Sequence, residues 1–132
     1  MAQGFSDAGV PVFCADVKGD LSGISLPGSP NEKLLTRAAE LEDYWADAVH
    51  SLKGKRHIID VRNMGIVAGI ELEPRPGAPT KRAMELFHKC FDNGLLVRAT
   101  GDIIALSPPL ILQKAHIDEM VGRISDLLET ID

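Results

Sequence analysis

Two cysteines, Cys14 and Cys90, are all that the 132 residues contain. They lie far apart and match neither a disulfide framework nor a CxxC metal or redox site. No apolar run approaches the roughly 18 residues needed to cross a bilayer. The start, Met1-Ala2-Gln3-Gly4, lacks the basic cluster and apolar stretch of a signal peptide. These absences predict a soluble cytoplasmic protein with reduced thiols and no membrane partner. Cations are also scarce: 14 Lys plus Arg stand against 19 Asp plus Glu, a formal charge of −5. With no basic excess to neutralise phosphates, nucleic acid is not an expected partner. The acids are dispersed, so no acidic tail is present.

Several catalytic signatures are missing too. HExxH, GxSxG, GxGxxG and the phosphate-binding GxxxxGK[ST] do not occur. His50, His57, His88 and His116 are scattered and have no zinc-type spacing, so they read as surface or half-buried imidazoles and no metal is expected. Glu40, Glu42, Asp43 and Asp47 read as the solvated side of a helix.

What remains is ordinary globular composition, 45% hydrophobic and 25% charged, at the length of one domain. Residues 1–29 stand apart. A β-prone run at 10–17 is followed by a Gly/Ser/Pro-rich stretch at 21–29, which reads as a strand and loop with little to pack against. Ser29-Pro30-Asn31-Glu32 has the form of a capping box and opens a helix. Its apolar stripe runs Leu34, Leu35, Ala38, Leu41, Trp45, Ala48, Val49 and Leu52, and Gly54 caps it. Strands follow at 58–62 and 66–73, turning at Asn63-Met64-Gly65. A second helix directs Ala83, Met84, Phe87, Cys90 and Phe91 inward and stops at Asn93-Gly94. A hairpin at 95–99 and 103–106 turns at Thr100-Gly101-Asp102, and a last helix spans about 114–131. The order α-β-β-α-β-β-α predicts an α+β two-layer sandwich, a small antiparallel sheet covered on one face by three helices.

Arg98 is the residue most suited to recognition. It ends the apolar run Leu95-Leu96-Val97 just before a tight turn, where a guanidinium can fork onto a carboxylate through two parallel hydrogen bonds. An internal salt bridge or a snorkelling arginine fits the same position. Arg62 raises the same question at a strand end.

From about Arg37 onward the chain resembles the C-terminal domain of class III pyridoxal-phosphate aminotransferases. The nearest branch is the ω-amino acid (β-alanine):pyruvate transaminases. The resemblance is carried by Arg37-Ala38-Ala39-Glu40-Leu41, Ile58-Ile59-Asp60-Val61-Arg62-Asn63-Met64-Gly65 and Val67-Ala68-Gly69-Ile70-Glu71-Leu72. Leu95-Leu96-Val97-Arg98-Ala99-Thr100-Gly101-Asp102 and Ile104-Ala105-Leu106-Ser107-Pro108-Pro109-Leu110 continue it.

The resemblance implies that Arg98 binds the substrate carboxylate, that pyridoxal phosphate serves the intact enzyme, and that the enzyme is a homodimer. It also implies that the Schiff-base lysine, the acid facing the pyridine nitrogen and the phosphate loop belong to a large domain with no counterpart here. The lysines at 18, 33, 53, 55, 81, 89 and 114 lie outside any matching motif. The expectation is a chain with no catalytic or cofactor-binding residue of its own and no activity alone.

Residues 1–34 resemble a stretch of HerA-like ATPases, from Gln3-Gly4-Phe5-Ser6 through Ala15-Asp16-Val17-Lys18-Gly19-Asp20 to Pro27-Gly28-Ser29-Pro30-Asn31. The implied organisation is an arm at 1–34 and an aminotransferase small domain at 35–132. A non-catalytic, self-associating assembly module is the alternative, and a nucleotide-handling fragment is a third reading that rests on the arm alone.

Overall fold

A computed structural model describes residues 32–132, which form one compact unit. The strand and loop expected at 10–29, and the Ser29-Pro30-Asn31 part of the capping box, lie outside the described residues.

The first helix, α1 (Glu32–His50), packs against β1 (Ile58–Met64) and against the last helix, α3 (Lys114–Leu128). Its i, i+4 spacing turns Leu41, Trp45 and Val49 into the core, with Leu52 just beyond. Leu34 and Leu35 were placed on the same stripe by periodicity but are 48% and 62% exposed. Periodicity gives an angle about the helix axis; it does not say how far along the axis the partner surface reaches. Gly54 sits at φ +81° in the turns after His50, four residues past the helix end.

The other elements are β2 (Val67–Leu72), α2 (Lys81–Asp92), β3 (Arg98–Thr100) and β4 (Ile103–Leu106). The strands form one antiparallel sheet in the order β1-β2-β4-β3. Val61, Ala68, Ile70, Leu72, Ile104 and Leu106 point from it into the core. They meet Ala83, Leu86 and Cys90 of α2 and Ile117, Val121, Ile124 and Leu128 of α3. This is the expected α+β two-layer domain.

Three boundaries differ from expectation. Asn63 and Met64 pair with Ala68 and Val67, so β1 continues through the expected turn and the reversal occurs at Gly65, φ +55°. Residues 95–97 are not paired in the sheet, and β3 begins only at Arg98. The last helix ends at Leu128 rather than near Ile131, although Ile131 is still buried.

On α2, Ala83 and Cys90 are buried and Phe87 packs against the core as expected, but two of the expected inward residues are not buried. Leu86 is fully buried, whereas Met84 and Phe91 are 40% and 62% exposed. Arg82 is a buried cation on the same inner side of α2 as Ala83, Leu86 and Cys90. It donates from Nε to the Asp132 main-chain oxygen at 2.6 Å and from Nη1 to the Glu73 carbonyl. These contacts place a charged residue on the inner side of α2, where a count of apolar residues does not look for one.

Candidate functional site

The site is built on the exposed edge of the sheet. Arg98 pairs with Ala105, Ala105 with Gly69, and Gly69 with Arg62, so these four residues form one row across the sheet. Directly opposed residues of antiparallel strands project to the same side. Ala99, Ile104 and Leu106 face the helices, so the row lies on the uncovered face. Arg62 and Arg98, the two arginines singled out from sequence, therefore share a face. They stand at opposite edges, three strand spacings or roughly 14 Å apart.

The two arginines are in different electrostatic states. Arg62 Nη1 donates to Asp60 Oδ2 at 2.6 Å and to Glu71 Oε2 at 2.7 Å. The Glu71 and Asp60 carboxylates hold its guanidinium above the usual arginine range. The side chain of Arg62 lies close to Gly69, where a Cβ would meet its Cγ and Nε at 3.8 Å. Arg62 is committed to its ion pairs. Arg98 is exposed and has no hydrogen bond or ion pair among the described residues. Among the described residues, the internal salt bridge that sequence left open for Arg98 is not formed.

Arg98 borders a cleft of about 650 Å³ between the strand ends and α3. Its apolar lining includes Leu95, Leu96, Val97, Leu106, Leu112 and Met120, together with Pro108 and Pro109. The polar groups along it are Ser107, His116, Glu119 and Arg123. Arg123 is already engaged, donating from Nη2 to Glu119 Oε1 at 2.6 Å and from Nη1 to the Asn93 carbonyl. His116 Nδ1 accepts the Gln113 main-chain N–H at 3.2 Å in a capping box at the start of α3. Sequence reasoning did not place His116 or Arg123 at this cleft. The i, i+4 spacing of Glu119 and Arg123 was legible, but not the surface it faces.

The remaining titratable groups are structural. Tyr44 donates to Asp118 Oδ1 at 2.6 Å, joining α1 to α3, and that hydrogen bond raises its pKa. Lys114 Nζ lies 4.7 Å from the Tyr44 ring centroid. His50 Nε2 lies 2.8 Å from Asn63 Oδ1. His57 adopts φ +65°, and its pKa is lowered by burial and by the nearby Arg82 and Arg56. Burial raises the Cys90 thiol to about 11, which leaves it unreactive at neutral pH. Among the described residues, no group of three His, Cys, Asp or Glu could hold a metal ion, and no helix is long and apolar enough to cross a membrane.

A pyridoxal phosphate site needs a lysine aimed at the aldehyde and a set of donors gathered on the phosphate. None of the lysines among the described residues lines the cleft beside Arg98: Lys89 donates to the Thr130 carbonyl and Lys114 lies against Tyr44. Ser107 is the cleft's one hydroxyl. The described residues do not by themselves fit the cofactor.

The sheet order and helix placement are those of an α+β domain of the kind found C-terminally in aminotransferases. A thermostable omega transaminase from Pseudomonas jessenii superposes with a TM-score of 0.69, covering 75% of this chain and 23% of that one at 22% identity. In sequence, the chain is 57% identical to an omega-aminotransferase of Caulobacter vibrioides over 131 residues. It is 28% identical to a beta-alanine–pyruvate aminotransferase of Pseudomonas aeruginosa over 130 residues. Each alignment takes in 98% of this chain and 28% of the relative, so the chain spans under a third of the curated relatives it matches. The resemblance to class III aminotransferases is thus found in both sequence and fold.

The model of the helicase HerA-like C-terminal family matches residues 1–54. It overlaps the aminotransferase alignments along the front of the chain.

Proposed function

We propose that residues 35–132 are the small C-terminal domain of a pyridoxal-phosphate-dependent ω-amino acid:pyruvate aminotransferase, and that Arg98 binds the substrate carboxylate. The observation that carries this reading is the Arg98 guanidinium, unpaired among the described residues and lining an apolar cleft, in a chain similar to omega-aminotransferases. Every other arginine of the sheet and cleft is already held by a carboxylate or a carbonyl. A free guanidinium recognises a carboxylate bidentately.

In this reading the assembled homodimeric enzyme moves an amino group from a β- or ω-amino acid to pyruvate, with the cofactor supplying the electron sink. The 132 residues alone bind no cofactor and carry no turnover.

The test is a graft: residues 35–132 replace the matching segment of the Caulobacter omega-aminotransferase. The graft should transfer an amino group from β-alanine to pyruvate, and Arg98→Gln should impair β-alanine far more than an amine lacking a carboxylate. Equal loss for both donors would remove the carboxylate role. Absorbance near 410–420 nm on adding pyridoxal phosphate to the 132-residue chain alone would contradict the cofactor statement.

A second reading is a self-associating assembly module, favoured by the exposure of Met64, Leu96 and Ile111 at 83%, 78% and 84%. Monomeric elution across a wide concentration range would exclude it.

A further inference from the structure

Arg98 has no partner among the described residues, so the place of its guanidinium depends on what holds the backbone beneath it. That backbone is slight. Strand β3 is three residues long, lies at the sheet edge and pairs with β4 alone. A short edge strand with few hydrogen bonds opens more readily than the centre of a sheet. Helix α2, twelve residues and about 18 Å long, packs against β3 and is tied to the chain on either side of it. Before the strand, the Leu95 N–H donates to the Cys90 carbonyl at 2.8 Å, which fixes the course of the chain from α2 toward Arg98. After it comes Asp102, the last residue of the turn into β4. The Asp102 main-chain oxygen accepts the Leu72 N–H at 2.8 Å at the end of β2. Its Oδ1 accepts the Thr80 N–H at 2.7 Å, directly before α2. Thr80 stands at φ +69°, a costly backbone for a β-branched residue, and its own side chain caps nothing.

We propose that Asp102 is a positioning residue for Arg98: by tying the β3–β4 turn to the start of α2, its carboxylate sets the backbone from which the guanidinium reaches the cleft. The inference rests on the carboxylate role given to Arg98 above and adds what holds that arginine in place. Without the Asp102 side chain the turn keeps only its main-chain pairing, so β3 opens more often and the guanidinium is aimed over a wider arc. A two-pronged contact tolerates little misalignment. Its loosening weakens substrate binding and raises KM before it alters kcat.

The test has two arms. In the 132-residue chain, amide hydrogen exchange read by NMR should be roughly tenfold faster at Arg98, Ala99 and Thr100 in Asp102→Ala, with β1 little changed. Asp102→Asn keeps an oxygen acceptor for the Thr80 N–H and should restore most of the protection. If Asp102→Ala does not fold, Asp102→Ser, whose oxygen stops one bond short, takes its place. In the Caulobacter graft, Asp102→Ala should raise KM for β-alanine roughly fivefold with kcat within about twofold, and Asp102→Asn should recover most of it. In an Arg98→Gln background, Asp102→Ala should change kcat/KM for β-alanine by less than about twofold, because no guanidinium is left to aim. A general loss of structure would persist in that background. Unchanged exchange at β3, an unchanged KM, or an undiminished effect in the Arg98→Gln background would each overturn the proposal. If any of these occurs while Arg98→Gln still impairs β-alanine selectively, this inference falls and the aminotransferase reading stands. If Arg98→Gln impairs both donors alike while Asp102→Ala still loosens β3, the carboxylate role falls and takes this inference with it.

Discussion

Arg82 and Asp132, fifty positions apart, are joined by a hydrogen bond of 2.6 Å from the Arg82 Nε to the Asp132 main-chain oxygen. Arg82 is only 7% exposed, and its other partners are the Glu73 carbonyl and, at 3.7 Å, the Glu73 carboxylate. Arg75 donates to the same Asp132 oxygen from Nε and Nη2, both at 3.1 Å. A buried guanidinium thus ties α2 to the segment after β2 and to the residues after α3.

Replacing Arg82 by Met keeps most of the volume and removes the donors. Two main-chain oxygens then lose charge-assisted hydrogen bonds, at a cost of about 2–3 kcal/mol. Urea unfolding should show a lower midpoint with an unchanged slope. A loss below about 0.5 kcal/mol would mean that the clamp contributes little.

Glu85 provides a pH test. Its carboxylate accepts from Arg75 Nη2 at 2.5 Å and lies 3.6 Å from Lys89 Nζ. The Arg75 hydrogen bond, ahead of the other favourable contacts, lowers its pKa. A carboxyl with a depressed folded pKa contributes stability that is present above the unfolded value and lost as pH falls through the folded one. Glu85→Gln should therefore be less stable than the wild type at pH 7. The gap should close as pH drops below about 4.3, the ordinary glutamate value. Thermal melts of both proteins from pH 7 to pH 3 would show this, and a constant gap would refute it.

Thr80 precedes α2 at φ +69° and makes no side-chain cap, while its main-chain N–H donates to Asp102 Oδ1 at 2.7 Å. A β-branched residue is poorly tolerated in left-handed backbone, whereas Asn visits it readily. Thr80→Asn keeps the main-chain hydrogen bond and relieves the strain, so stability should rise by about 0.5–1 kcal/mol. An unchanged or lower melting temperature would show that the hydroxyl or methyl is needed where it stands.

Arg98→Gln should leave stability within about 0.5 kcal/mol of the wild type, because Arg98 is exposed and has no partner to lose among the described residues. The contrast with Arg82 separates the two arginines by role. Denaturant titration of both variants under one set of conditions would check it.

Much of the architecture was legible because it depends on local pattern. The order of helices and strands, the alternation of Ala68, Ile70 and Leu72, and the stripe Leu41, Trp45, Val49 follow from periods of two and of 3.6 residues, which side-chain burial enforces wherever one face is covered. The errors fell where pattern met a long-range partner. Met84 and Phe91 are apolar yet exposed, while Arg82 is charged yet buried beside Ala83, Leu86 and Cys90. Leu34 and Leu35 continued a stripe past the reach of the core.

The site divides in the same way. Arg98 was recognisable from its place at the end of an apolar run before a tight turn, and the family resemblance supplied a role for it. Its lack of a partner was not legible, nor was its placement in one sheet row with Arg62, nor the cleft it shares with α3.

The sequence by itself determined the kinds of elements, their order and the chemistry of the one arginine suited to recognition, since propensity and periodicity act between near neighbours. Only the tertiary structure decided which of the two arginines singled out from sequence, Arg62 and Arg98, is neutralised and which has no partner among the described residues. That outcome depends on strand register and on which carboxylates and carbonyls arrive from distant positions, as Glu71 does for Arg62 and Asn93 for Arg123.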